Sequence, residues 1–214
     1  MRKYVILGLC FFMVPYCASP ANGTVLSVGV NGGYAFPDVY MQWGVNLEPG
    51  PGGGVKLQIT PWRYGEIELN GGYYKTPGTP TPAVSSLVPL KAGVNFKTGS
   101  GRYTIRFGGG AGYYLIKATA YGNVIVGVYE GEEEWDYTWG KVNLSGPGLY
   151  CGGGIAVNFG RWSLDFTPRW NYISNEGVHE GIGVGQYSGR RLYFGLSQDF
   201  TYAEAALGVS YRVF

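Results

Sequence analysis

The sequence predicts an all-β fold: a closed, antiparallel, up-and-down transmembrane β-barrel of eight strands, with short turns at one end and long loops at the other. Three observations carry this expectation. An export signal opens the chain, no later stretch is apolar for long enough to cross a membrane as a helix, and eight segments alternate apolar residues with polar or small ones. A chain that crosses a membrane without helices must do so with strands closed into a barrel, because only then does every backbone group find a partner.

Arg2 and Lys3 precede an apolar run from Tyr4 to Tyr16, followed by Cys17-Ala-Ser-Pro-Ala21. The run is shorter than the roughly 20 residues a spanning helix needs, and Ser19 and Ala21 are the small residues expected before a cleavage point. Residues 1–21 therefore read as a secretory signal peptide and 22–214 as one barrel domain. A lipid anchor at Cys17 would need a small residue before it, where Tyr16 stands.

Of the 16 basic residues, Arg2 and Lys3 leave with the signal, so fourteen face 14 acidic ones. A neutral chain is a poor partner for nucleic acid. Cys10 and Cys17 leave too, and Cys151 alone can form no intramolecular disulfide. The 38 glycines and 19 tyrosines beside only 14% charged residues are too aromatic a mixture for a disordered glycine-rich chain.

The first strand is expected over 25–34, with Leu26, Val28, Val30 and Tyr34 opposite Ser27, Gly29, Asn31 and Gly33. The second, 54–60, sets Val55, Leu57 and Ile59 against Lys56 and Gln58. A turn through Pro61-Trp62-Arg63 leads to the third, where Ile67, Leu69 and Tyr73 oppose Glu66, Glu68 and Asn70. The fourth, 87–97, places Val88, Leu90, Val94 and Phe96 against Lys91, Gly93 and Asn95, and Gly99-Ser100-Gly101 turns the chain.

The fifth strand, 102–117, sends Tyr103, Ile105, Phe107, Ala111, Tyr113 and Leu115 outward and Thr104, Arg106, Gly108, Gly110 and Gly112 inward; so many glycines exclude a helix. The sixth, 149–159, alternates Leu149, Cys151, Ile155, Val157 and Phe159 with Gly152, Gly154 and Asn158. After Gly160-Arg161, the seventh, 162–173, opposes Leu164, Phe166, Trp170 and Tyr172 to Ser163, Asp165, Thr167, Arg169 and Asn171. The eighth, 205–214, turns Leu207, Val209, Tyr211 and Val213 to lipid. Pro89 and Pro168 each remove a ladder hydrogen bond and are expected at bulges or edge-like positions.

Tight turns at 60–65, 98–101 and 160–161 alternate with long loops at 35–53, 76–86, 118–147 and 174–203, the asymmetry of periplasmic turns and extracellular loops. Gly32-Gly-Tyr34, Gly71-Gly-Tyr-Tyr74 and Gly110-Ala-Gly-Tyr-Tyr114 place tyrosines at outer strand ends. Trp62, Phe96, Phe159 and Phe214 lie near the other, so two aromatic girdles are expected.

On these features the chain resembles the small outer-membrane β-barrels of the OmpA-like, OmpX-like and OmpW-like family, over nearly all of the mature chain. Its closing Gly208-Val-Ser-Tyr-Arg-Val-Phe214 is similar to the signal read by the barrel-assembly machinery, which the resemblance assigns to Leu207, Val209, Tyr211 and Phe214. Here Val213 puts Phe214 out of phase, so either the last residue bends outward or the signal is suboptimal. The resemblance implies a monomer in the outer membrane of a Gram-negative bacterium. Its implied partners are outer-membrane lipid and lipopolysaccharide, the assembly machinery and periplasmic chaperones.

By strand parity, Lys56, Glu66, Glu68, Lys91, Arg106, Asp165, Arg169 and Arg212 point into the lumen. An eight-stranded barrel is about wide enough for side chains to fill, so these should pair and plug it. The inward glycines leave open the alternative of a narrow solute path. Glu130-Gly-Glu-Glu-Glu-Trp-Asp136, between apolar-aromatic flanks, reads as the solvated tip of a hairpin above the membrane and lacks the ligand spacing of a calcium loop. Arg190 and Arg191 could touch lipopolysaccharide phosphates, the alternative being surface solubility.

No cysteine–histidine cluster suggests a metal, Gly108 to Gly112 belongs to a strand and not to a dinucleotide loop, and no cofactor is expected. Arg169-Trp-Asn-Tyr-Ile-Ser-Asn175 loosely resembles the lipid A deacylase segment in which a histidine two residues before the Ser-Asn pair activates the serine. Tyr172 occupies that position here, leaving Ser174 to the single histidine, His179, with Glu176 or Glu180. The expected function is a non-enzymatic role in structure, adhesion or surface interaction carried by the extracellular loops. A lipid A-modifying hydrolase or a narrow channel is the alternative.

Overall fold

A computed structural model of the chain describes residues 20–38, 40–41, 45–79, 83–98, 101–125, 136–143, 145–174, 179–185, 191–196 and 199–213. The described residues contain β1 (Pro20–Pro37), β2 (Tyr40–Met41), β3 (Val45–Leu47), β4 (Gly50–Trp62), β5 (Gly65–Thr79), β6 (Ala83–Thr98), β7 (Tyr103–Ile125), β8 (Asp136–Asn143), β9 (Gly146–Phe159), β10 (Trp162–Ile173), β11 (His179–Gly185), β12 (Arg191–Leu196) and β13 (Phe200–Arg212).

Eight of these strands form a closed antiparallel ring in the order β1, β4, β5, β6, β7, β9, β10, β13 and back to β1. The closing seam runs from Ser27 opposite Arg212 to Pro37 opposite Tyr202. Closure leaves no bare edge within the membrane, where an unpaired backbone group would cost several kcal/mol. The expected signal peptide lies outside the described residues except for Pro20 and Ala21, which begin β1.

Every barrel strand follows the period-2 pattern that predicts it, and the pattern is inverted relative to a water-soluble protein. Val30, Val55 and Leu207 point away from the barrel and are 60–63% exposed, whereas Glu66 and Glu204 point into it at 2% and 1%. Apolar outside and charged inside is the arrangement of a barrel whose solvent is lipid. The girdles form in part. Tyr34, Tyr73 and Tyr113 are exposed at the outer ends, and Phe96 stacks on Phe107 with centroids 5.6 Å apart near the other end, where Phe159 is also exposed. Tyr74 and Tyr114, expected in the girdle, are buried inside the barrel, because the second tyrosine of each pair has the opposite parity. Trp62 is half-buried with its indole against Gly65, and Phe214 lies outside the described residues.

The turns joining β4 to β5, β6 to β7 and β9 to β10 are short. In the last of them Gly160 takes a φ of 64°, a left-handed conformation that costs glycine nothing. At the opposite end the strands run well past the membrane. The 23 residues of β7 are about twice what a tilted strand needs to span the hydrocarbon. Much of the expected long loops is therefore strand. β5 and β6 stay paired up to Gly78 and Ala83, and β2 and β3 form a small hairpin on the edge of β5. β7 pairs with β8 up to Ile125 and Asp136, the expected raised hairpin, and β11 and β12 extend that sheet sideways. The acidic tip from 130 to 135 lies outside the described residues.

Pro89 and Pro168 sit neither at bulges nor at edges. Pairing of β6 with β5 lapses between Leu90 and Leu87, and of β10 with β9 between Phe166 and Arg169, with the register unchanged across each gap. Each proline keeps its place beside its other neighbour, Tyr114 or Ala205. In an antiparallel sheet a residue's N–H faces one neighbour only, so a proline disturbs one ladder and leaves the other intact.

Candidate functional site

Inward parity assembles a network of charged side chains in the middle of the barrel. Lys56 of β4 pairs with Asp165 of β10 across the lumen, and Thr167 also donates to Asp165 at 3.2 Å. Arg169 of β10 bridges two carboxylates, Glu68 of β5 and Glu204 of β13, the latter at 3.1 Å. Lys91 of β6 reaches the other oxygen of Glu204 at 2.6 Å. Glu66 accepts hydrogen bonds from Gln58 at 3.0 Å and Asn95 at 3.5 Å and lies 3.6 Å from Arg106. Four carboxylates thus meet four cations. A buried charge is tolerated when paired and hydrogen-bonded, and here each pair joins strands that lie apart in sequence.

Seven of the eight lumen residues read from parity belong to this network. The eighth, Arg212, is exposed at the mouth near the short turns and makes no ion pair among the described residues. The residue missed is Glu204, which the predicted eighth strand excluded by one position. Extending its alternation backward past Ala205 would have found an inward carboxylate opposite Arg169, its partner in the β10–β13 register.

Some of the inward glycines make room for long side chains. Tyr150 lies between the Lys91 ammonium, 5.5 Å from its ring centre, and the Arg169 guanidinium, 5.9 Å away. A Cβ on Gly93 would collide with the Tyr150 hydroxyl, and one on Gly152 would meet the Arg169 stem at 2.8 Å. The void among Glu68, Arg106 and Arg169 measures only about 10 Å³, at most one water. Above it the Tyr114 hydroxyl donates to Asn171 at 3.1 Å, and its ring meets Tyr202 edge-on at 6.1 Å. Leu87, Ile116, Ile173 and Phe200 then close the outer end, each fully or almost fully buried. The lumen is a packed core with an ionic middle and an apolar cap.

No family model and no curated protein matches the chain. Among solved structures it is similar to a major outer membrane protein from Thermus thermophilus, with 13% identity and a TM-score of 0.57 over 89% of this chain and 100% of that one. It is similar also to Neisserial surface protein A, at 14% identity and a TM-score of 0.54 over 89% of this chain and 99% of that one. The outer membrane protein OprG from Pseudomonas aeruginosa matches at 11% identity and a TM-score of 0.55, over 86% and 95% of the two chains. The chain has the fold of the small outer-membrane β-barrels.

The apolar belt, the closed seam and the short-turn end are those expected of a barrel set in an outer membrane. The described residues contain no metal-ligating cluster. They give no support to hydrolytic chemistry either. Ser174 follows β10 with its backbone N–H donating to Pro147 at 3.0 Å, while His179 begins β11 opposite Leu196, and residues 175–178 between them lie outside the described residues. The terminal strand presents Leu207 and Val209 to lipid, with Tyr211 half-exposed on the same face.

The packing around the ion pairs makes one glycine especially sensitive. A Cβ on Gly208 would fall 2.6 Å from the Lys56 ammonium and 2.9 Å from an Asp165 oxygen, between the two charges. Gly208→Val is expected to lose about 2–3 kcal/mol of stability, at the upper end of overpacking costs because it also parts a buried pair. Urea unfolding followed by tryptophan fluorescence would measure the loss, and an unchanged midpoint would refute the packing described.

Proposed function

We propose that this chain is a monomeric, non-conducting anchor in the outer membrane, acting through its extracellular face in structure, adhesion or surface interaction. The plugged lumen carries this reading. Ion pairs cross the bore at its middle, apolar side chains lie buried above them, and the void among Glu68, Arg106 and Arg169 holds no more than a water. The strands that rise past the membrane, β5 to β8 with β11 and β12, supply a broad extracellular sheet where a partner would dock.

Lipopolysaccharide is the proposed neighbour of that sheet, with Arg190 and Arg191 as the cations for its phosphates; Arg190 lies outside the described residues. The assembly machinery and periplasmic chaperones are the proposed partners on the way there, with Leu207, Val209, Tyr211 and Phe214 as the assembly signal. Removal of residues 1–21 during export belongs to the same reading. Planar-bilayer recording tests the central claim. Purified protein is expected to give no discrete openings, whereas steady small-conductance steps would replace the anchor with a narrow channel. Mass spectrometry of lipid A from cells with and without the protein is expected to show one acylation pattern, and a lost acyl chain would restore the hydrolase alternative.

A further inference from the structure

Below the ionic plug, the end with the short turns opens into a cavity of about 570 Å³ whose chemistry differs from the rest of the lumen. Six cations line it, Arg63, Lys97, Arg102, Arg106, Arg161 and Arg212, against a single carboxylate, Glu66. That carboxylate is already engaged by Arg106, Gln58 and Asn95, so it does little to offset the other five. None of those five makes an ion pair among the described residues. Lys97 donates to the Thr60 hydroxyl at 3.3 Å and Arg161 to the Tyr211 phenol at 3.3 Å, while Arg63 and Arg102 lie over the rings of Tyr64 and Phe159 at 5.2 and 5.6 Å. Such contacts orient a cation without cancelling its charge.

Two buried donors are also unused at the cavity wall. The Ser163 hydroxyl and the Arg106 Nε have no hydrogen-bond partner among the described residues. Buried polar groups normally have one. A concave, low-dielectric wall carrying one sign of charge focuses the field on its centre, and guanidinium forks match the paired oxygens of a phosphate.

We propose that this periplasmic mouth is a binding site for a phosphate-bearing anion. Five cations without an ion pair line or rim it together with spare hydrogen-bond donors, and the charge-balanced plug begins only above them. The barrel wall separates the cavity from the hydrocarbon, so a soluble periplasmic phosphate compound enters directly, whereas a phospholipid of the inner leaflet must bend its headgroup around the rim.

The probe is inorganic pyrophosphate, titrated calorimetrically into membrane-purified protein in maltoside micelles at low ionic strength. Saturable one-to-one binding is expected, with affinity falling as salt is raised. Lys97→Gln/Arg212→Gln, which retains every ion pair of the plug, is expected to weaken binding about tenfold or more, and Lys75→Gln near the other end of β5 to leave it unchanged. Heat-modifiable gel migration confirms that each variant is folded; should the first pair fail to assemble, Arg63→Gln/Arg161→Gln in the turns is the substitute. Repeating the titration in phosphatidylcholine nanodiscs with and without phosphatidylglycerol identifies the source: competition by the anionic lipid assigns the site to a headgroup, and its absence to a soluble phosphate. Absence of saturable binding, or equal binding by the folded mouth variant, overturns the proposal.

Discussion

Glu204→Gln is expected to cost the barrel about 3–5 kcal/mol, the range for removing one partner of a buried ion pair. Glu204 is the carboxylate on which two cations converge, Lys91 at 2.6 Å and Arg169 at 3.1 Å, and all three side chains are shielded from water. The glutamine keeps the shape but not the charge, so Lys91 is left buried with no counter-ion of its own, while Arg169 retains Glu68. Urea unfolding in micelles or bilayers would read the loss. Lys91→Leu/Glu204→Leu supplies the complementary arm: removing both charges abolishes the desolvation penalty, and more than half of the lost stability is expected to return. A wild-type midpoint for Glu204→Gln would mean that the network is incidental to the fold.

Val55→Arg addresses the other side of the wall. Val55 lies at the middle of β4, opposite Val30 of β1, and its side chain is 63% exposed. On a water-soluble barrel an arginine at so exposed a position would change stability by no more than about 0.5 kcal/mol. In a bilayer the same substitution near the midplane is expected to cost about 2–4 kcal/mol, because a charge has replaced a methyl surface in hydrocarbon. Refolding equilibria in phosphatidylcholine vesicles measure the difference directly. A near-zero cost would place this face in water and refute the membrane belt, while leaving the strand pairing untouched.

The two experiments probe two halves of one pattern, and the pattern was legible in the sequence because strand parity has a fixed period. Once Lys56, Glu66, Glu68 and Arg169 were seen to share a phase opposite to Val55, Ile67 and Trp170, their burial followed from the closure of the sheet. The seam between the first and last strands followed from closure, which leaves no bare edge. Parity failed where a strand boundary was drawn one residue short, which hid Glu204, and where two adjacent tyrosines were assigned one face. Tyr74 and Tyr114 cannot join Tyr73 and Tyr113 in the girdle, since neighbouring residues on a strand point to opposite sides.

Other features depend on distance across the barrel, to which periodicity is blind. Which cation meets which carboxylate is set by which strands closure brings face to face across the bore, such as β4 with β10 and β6 with β13. The inward glycines looked like free space along the strand. Gly93, Gly152, Gly29 and Gly208 prove to be the clearance required by Tyr150, Arg169 and Lys56 reaching from other strands. Likewise the other outer loops read as loops because their turn residues mask a weak alternation, yet pairing to β5 and β8 draws β2, β3, β11 and β12 into the sheet.

The sequence by itself therefore determined the crossing strands, their number, the face each turns to lipid and the end at which the chain makes its tight turns. These are one-dimensional properties, encoded in a period of two and in the spacing of glycines and aromatic residues. Only the tertiary structure decided that ion pairs cross the bore, that Glu204 joins Lys91 to Arg169, and that the cations of three turns and two strand ends line one cavity. Those facts arise from side chains brought together by closure, and the energy of a charge depends on what stands opposite it across the bore.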